Sequence, residues 1–174
     1  MEPREIRARL SRIHKDAFGW AMVCCGRDED LATEVLQQAY CRILAGDAAF
    51  AGRSEFSTWV FGVIRRVALE ETSRRARRRA RLHAIRHRAG RSTSAPDIAH
   101  SGIEQRELAE RLCSALERLS ARQREVLHLT FYQEMTVEQA AKVLSISVGS
   151  ARQHYERGKA ALHRILASSG EFQQ

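Results

Sequence analysis

The chain has 174 residues, enough for one medium domain or two small ones, and its 44% hydrophobic and 29% charged residues exclude a disordered polymer. Two prolines and ten glycines are too few breakers for a strand-and-turn architecture, so an all-α fold is expected. No apolar run approaches the roughly 20 residues that span a bilayer, and the first residues lack an apolar signal-peptide core; a cytoplasmic protein without membrane insertion is expected.

From Arg4 to Cys25 the apolar positions Ile6, Leu10, Ile13, Ala17, Trp20 and Val23 have helical spacing, with Gly26 as a stop. Asp28, Glu29 and Asp30 then favour a helix start, because negative charge meets the positive end of the helix dipole. Leu31, Val35, Leu36, Ala39, Tyr40 and Ile43 form the apolar stripe of that second helix. Gly46 to Gly52 reads as a loop. Ser54 is placed to cap a third helix, in which Phe56, Trp59, Val60, Val63, Ile64 and Val67 share a face.

The third helix runs on into an arginine tract. Residues 65–91 carry eleven Arg against only Glu70 and Glu71, whereas the residues before and after this segment are close to neutral. The net charge of +8 therefore belongs to one segment. Its cations are all Arg, whose planar fork of donors suits phosphate. Nucleic acid is the expected partner, with an acidic protein surface as the alternative. Aromatics leading into arginines could hold separated DNA strands, by stacking and by backbone contact. For Phe56 and Trp59, ordinary core packing at helical spacing is the stronger reading.

Residues 89–103, rich in Ser, Gly and small residues and with no apolar period, are expected to be a flexible linker between a first domain (1–88) and a second (104–170). In the second domain Leu108, Leu112, Ala115 and Leu119 line a helix. Ser120 with Gln123, and Thr136 with Gln139, form capping-box patterns, and Ser147 can cap the last helix. A short helix, a tight turn at Ser145-Ile146-Ser147 and a longer helix give helix-turn-helix spacing. A generic helical hairpin has the same pattern. The first turns of a recognition helix need forked or amide side chains for base edges. Ser150, Arg152, Gln153, His154 and Arg157 stand there, with Lys159 further along.

No catalytic constellation, phosphate loop or cofactor motif is present, so no enzymatic activity and no cofactor are expected. Cys24, Cys25, Cys41 and Cys113 match no zinc spacing and read as small apolar residues in a reducing compartment. His83 and His87 lie one turn apart, but among arginines that would repel a metal ion, and no metal site is expected.

Three segments resemble the extracytoplasmic-function sigma factors, a branch of the sigma-70 family. They are "ATEVLQQAYCRIL", "FSTWVFGVIRRVALEETSRRAR" and "LERLSARQREVLHLTFYQEMTVEQAAKVLSISVGSARQHYERGKAAL". The resemblance covers about residues 12–79 and 109–166, in the family's order. It implies sigma region 2 in the first domain and a helix-turn-helix region 4 in the second. The chain would then be an alternative sigma factor; a stand-alone helix-turn-helix regulator is the alternative. By resemblance, Glu34, Val35, Gln37, Gln38 and Tyr40 would meet the polymerase β′ clamp helices. The Gly46–Glu55 loop and the following helix, with Phe56, Trp59, Arg65, Arg66, Arg74, Arg75 and Arg77, would read and melt the minus-10 element. Ser150, Arg152, Gln153, His154 and Arg157 would read the minus-35 element. The implied partners are core RNA polymerase through its β′ and β subunits, promoter DNA and an anti-sigma factor. Thr33 stands where the family often has an acidic residue, and its phosphorylation would restore that charge. Gln38 replaces a usual Glu, Arg66 a frequent Asn, and Ser145 the usual turn Gly.

Overall fold

The computed structural model describes residues 2–85 and 112–168, with side chains as far as residue 80 in the first stretch. The expected linker, 89–103, lies outside the described residues. Within them all regular structure is helical. The first stretch holds α1 (Pro3–Arg12), α2 (His14–Cys24), α3 (Glu29–Ala45) and α4 (Phe56–Ile85). The second holds α5 (112–117), α6 (Ala121–Leu127), a π-turn at His128–Tyr132, α7 (Val137–Leu144) and α8 (Val148–Ser168).

Local chemistry explains most of the boundaries. The carboxylate of Asp28 accepts the Leu31 amide at 2.9 Å and starts α3. Gly46 ends α3 at φ 86°, a left-handed angle that suits glycine. Both expected capping boxes form. Ser120 Oγ accepts from the Gln123 amide, and Thr136 Oγ1 from the Gln139 amide, while each glutamine side chain accepts from the cap residue's own amide. Ser147 Oγ accepts the Ser150 amide at 3.1 Å and caps α8. Ser145, in the turn, takes a left-handed angle, φ 53°.

Two expectations change. The helix predicted over Arg4–Cys25 is divided at Ile13, whose φ of −98° and ψ of 9° leave the α region. The side-chain period continues across the break, which hid it. Ser54 does not cap α4: its hydroxyl donates to the Glu55 carbonyl at 3.2 Å, and the helix begins two residues later at Phe56.

Packing builds upward from α2, α3 and α4, which enclose Trp20, Val35, Leu36, Phe61, Ile64 and Val67. The fully buried Trp20 donates its indole N–H to the Phe61 carbonyl at 3.0 Å, so its one polar atom is satisfied. In the second stretch α6 and α8 approach closely at Gly158. A Cβ there would stand 3.1 Å from Leu127 Cδ1 and 3.3 Å from Gln123 Cβ. The π-turn is closed by the Gln133 amide donating to the His128 carbonyl at 3.1 Å. It turns His128 inward and leaves Phe131 and Tyr132 exposed.

The two stretches pack on each other. Helix α4 lies against α7, and α2 against α6. Val126, Leu129, Met135, Ala140, Val143 and Leu144 belong to the same buried cluster as Trp20 and Phe61. The His128 ring stacks on Trp20 at 5.7 Å between centroids.

Candidate nucleic-acid interface

Helix geometry sorts the arginines of α4. At 100° per residue, Arg66 and Arg77 are within about 20° of each other, Arg74 lies about 80° round, and Arg75 is about opposite. Arg66, Arg74 and Arg77 are exposed. Arg74 Nη1 donates to Glu71 at 3.0 Å. On the opposite side Arg75 reaches α3. Its Nη2 donates to Glu34 at 2.6 Å, and Asp28 and Glu71 each place a carboxylate oxygen 3.7 Å from the guanidinium. Arg42 donates to Glu70 at 2.7 Å and adds a second α3–α4 tie. That bond holds the Glu70 carboxyl below the usual carboxylate range. Arg65 faces inward instead. It is 5% exposed and its Nε donates to Glu125 Oε1 at 3.2 Å.

At the start of α4, Phe56 is buried and Trp59 half-buried. With Phe50 they form an aromatic cluster at centroid distances of 5.2–5.6 Å. The Arg9 guanidinium lies 5.6 Å from the Phe56 ring. Phe50 was not singled out from the sequence. Its signal is a lone aromatic among the small residues of the Gly46–Gly52 loop.

On α3, Gln37 is exposed, and Glu34, Gln38 and Tyr40 are half-buried. Gln38 donates to Glu34 at 3.3 Å. The Tyr40 hydroxyl lies 3.4 Å from His14 Nδ1, and burial pushes its pKa up to about 12. Val35 is fully buried, so it anchors the helix instead of facing a partner.

On α8, Ser150, Arg152, Gln153 and Arg157 are exposed and His154 is half-buried. Arg152 stands 3.7 Å from Glu138 of α7, with both side chains largely in solvent. Such a pair contributes little and exchanges readily for a phosphate. Lys159 lies over the Tyr155 ring at 4.8 Å.

Among the described residues no group of His, Cys, Asp and Glu could hold a metal ion. His87 and the side chain of His83 lie outside them. Burial raises the Cys25 thiol to about 11 and raises Cys24 as well, which disfavours the reactive thiolate. No helix among the described residues is long and apolar enough to cross a membrane.

Residues 115–164 match the family "Sigma-70, region 4", over α6–α8. The chain is 24% identical over 154 residues to the ECF RNA polymerase sigma factor SigX of Bacillus subtilis (strain 168), covering 88% of this chain and 79% of that protein. The chain thus carries a sigma-70 region 4 domain and is similar over most of its length to an extracytoplasmic-function sigma factor.

Two solved structures share the fold of this chain. One is the sigma factor RpoE in complex with the anti-sigma factor NepR from Bartonella quintana, with a TM-score of 0.72 and 21% identity over 94% of this chain and 98% of that one. The other is CnrH in complex with the cytosolic domain of CnrY, with a TM-score of 0.64 and 22% identity over 96% and 90%. An alternative sigma factor directs transcription initiation, and sigma factors as a class do so without a reaction of their own.

Proposed function

We propose that this sigma factor divides promoter recognition between its two modules, residues 1–88 acting as region 2 and 104–170 as region 4. The exposed face of α8 reads the minus-35 element in the major groove. Arg152 and Gln153 supply the forked and amide groups that base edges require, flanked by Ser150, His154 and Arg157. Amides at the α8 N-terminus, held in place by Ser147, face the phosphate backbone.

In the first module, Glu34, Gln37, Gln38 and Tyr40 dock on core polymerase. Arg66, Arg74 and Arg77 follow the DNA backbone along α4, and the Phe50–Phe56–Trp59 cluster borders the strand that separates at the minus-10 element. The polymerase does the chemistry and this chain supplies position, so it works where polymerase works, in the cytoplasm. An anti-sigma factor, of the kind bound to the Bartonella quintana neighbour, would act by covering these surfaces.

The observation that carries this reading is the capped helix-turn-helix, whose second helix keeps four of its five candidate base-reading side chains in solvent. Pull-down with purified core polymerase tests the docking surface. Wild-type chain is retained, and Gln37→Arg with Gln38→Arg is retained weakly. Equal retention of both would refute the α3 assignment.

A further inference from the structure

Arg65 and Glu125 are 60 residues apart in sequence and sit in different modules, yet they form the most buried ion pair among the described residues. Arg65 is 5% exposed and Glu125 8%. Two guanidinium nitrogens face the two carboxylate oxygens, Nε at 3.2 Å and Nη2 at 3.5 Å. Arg122 braces the same carboxylate at 3.0 Å. Each partner stands next in the chain to a fully buried apolar residue, Arg65 to Ile64 and Glu125 to Val126.

A buried pair of this kind adds little net stability, but losing one partner leaves an uncompensated charge. It therefore specifies which faces meet. The contact also masks the first arginine of the basic tract, the one buried arginine among residues 65–80.

The closed arrangement is incompatible with reading both promoter elements. Packed helices have axes about 8–10 Å apart, and α4 packs directly on α7. The minus-10 and minus-35 elements are about 25 base pairs apart, roughly 85 Å at 3.4 Å per pair. The modules must separate on the promoter, and separation frees Arg65.

We propose that Arg65 is a switched residue: it clasps Glu125 in the closed molecule and holds a promoter phosphate in the open one. Closure and DNA engagement then compete for a single guanidinium. This rests on the promoter-binding reading above.

The test uses the full chain as wild type, Glu125→Gln, Arg65→Gln, and the exchanged pair Arg65→Glu with Glu125→Arg. Small-angle scattering gives the radius of gyration of each free protein, circular dichroism its helix content, and anisotropy its affinity for a promoter duplex as a function of salt. Glu125→Gln is expected to expand the chain and to bind DNA roughly five- to tenfold tighter, because the competent state is no longer a minor fraction. Arg65→Gln is expected to expand equally, but with a plot of log affinity against log salt shallower than that of Glu125→Gln by about 0.9, one phosphate contact. The exchanged pair should return to the wild-type radius and still lack that contact.

A Glu125→Gln protein with wild-type radius and affinity overturns the clasp. Equal salt slopes for Glu125→Gln and Arg65→Gln overturn the phosphate role. Should either single variant lose its helix content, the exchanged pair decides. Recovered radius with lost affinity supports the proposal, and wild-type affinity refutes it. Failure of the promoter-binding reading itself looks different: no variant, nor the wild type, would give a promoter-dependent transcript with core polymerase.

Discussion

Arg75 Nη2 lies 2.6 Å from Glu34 Oε2, joining the arginine tract to the helix proposed to dock on polymerase. Glu34, Asp28 and Glu71 already surround this arginine, so it is a brace between α3 and α4 more than a DNA contact. Arg74→Ala and Arg77→Ala are expected to lower the salt slope of DNA binding by about 0.9 each. Arg75→Ala should leave the slope almost unchanged and weaken polymerase retention instead. Salt titrations of promoter binding and pull-downs on the same three variants separate the roles.

Burial beneath Trp20 lowers the His128 pKa from 6.5 to about 4. The folded chain thus binds fewer protons here than the unfolded chain. The contribution is intact above pH 6.5 and is lost as pH falls toward 4, by up to about 3 kcal/mol. Glu125 works in the opposite sense, because burial raises its pKa and acid relieves its buried charge. Urea melts at pH 7.5 and pH 5 should show a lower midpoint in acid for the wild type. For His128→Phe, which keeps the stack, the two midpoints should lie closer together.

Gly158 lets α8 pass against Leu127 and Gln123, with 3.1–3.3 Å available to a Cβ. A branched side chain cannot fit without displacing α6. Gly158→Val is expected to cost about 1–3 kcal/mol, read as a lower thermal midpoint. A midpoint equal to wild type would mean that the two helices do not meet as described.

Ser145 holds a left-handed angle that costs a residue bearing a Cβ about 1 kcal/mol. Ser145→Gly should be neutral to mildly stabilising, since glycine also loses more entropy on folding. Ser145→Val should destabilise clearly in the same thermal melt, because a β-branched side chain tolerates this angle worst.

The parts that were legible in the sequence are those fixed by neighbours in the chain. Ser120 and Gln123, Thr136 and Gln139, and Ser147 announce their caps, and the spacing from Thr136 to Arg157 announces the helix-turn-helix. The arginine tract is equally plain. What could not be read depends on distant contacts. Periodicity puts Val35 on the covered stripe, but does not say that Glu34 beside it is half-buried against Arg75 of α4. Runs of arginine look uniform until the helix turns Arg65 toward Glu125, Arg75 toward Glu34, and Arg66 and Arg77 to solvent. The break at Ile13 and the π-turn at His128–Tyr132 leave the side-chain pattern intact and so left no mark.

On the proposed reading, this chain gives core polymerase its promoter choice. Run-off transcription with purified core enzyme on genomic fragments tests it most directly. Adding the chain should produce discrete promoter-dependent transcripts, and Arg152→Ala with Gln153→Ala should abolish them on templates that need the upstream element. Transcription that is identical with and without the chain would contradict the account.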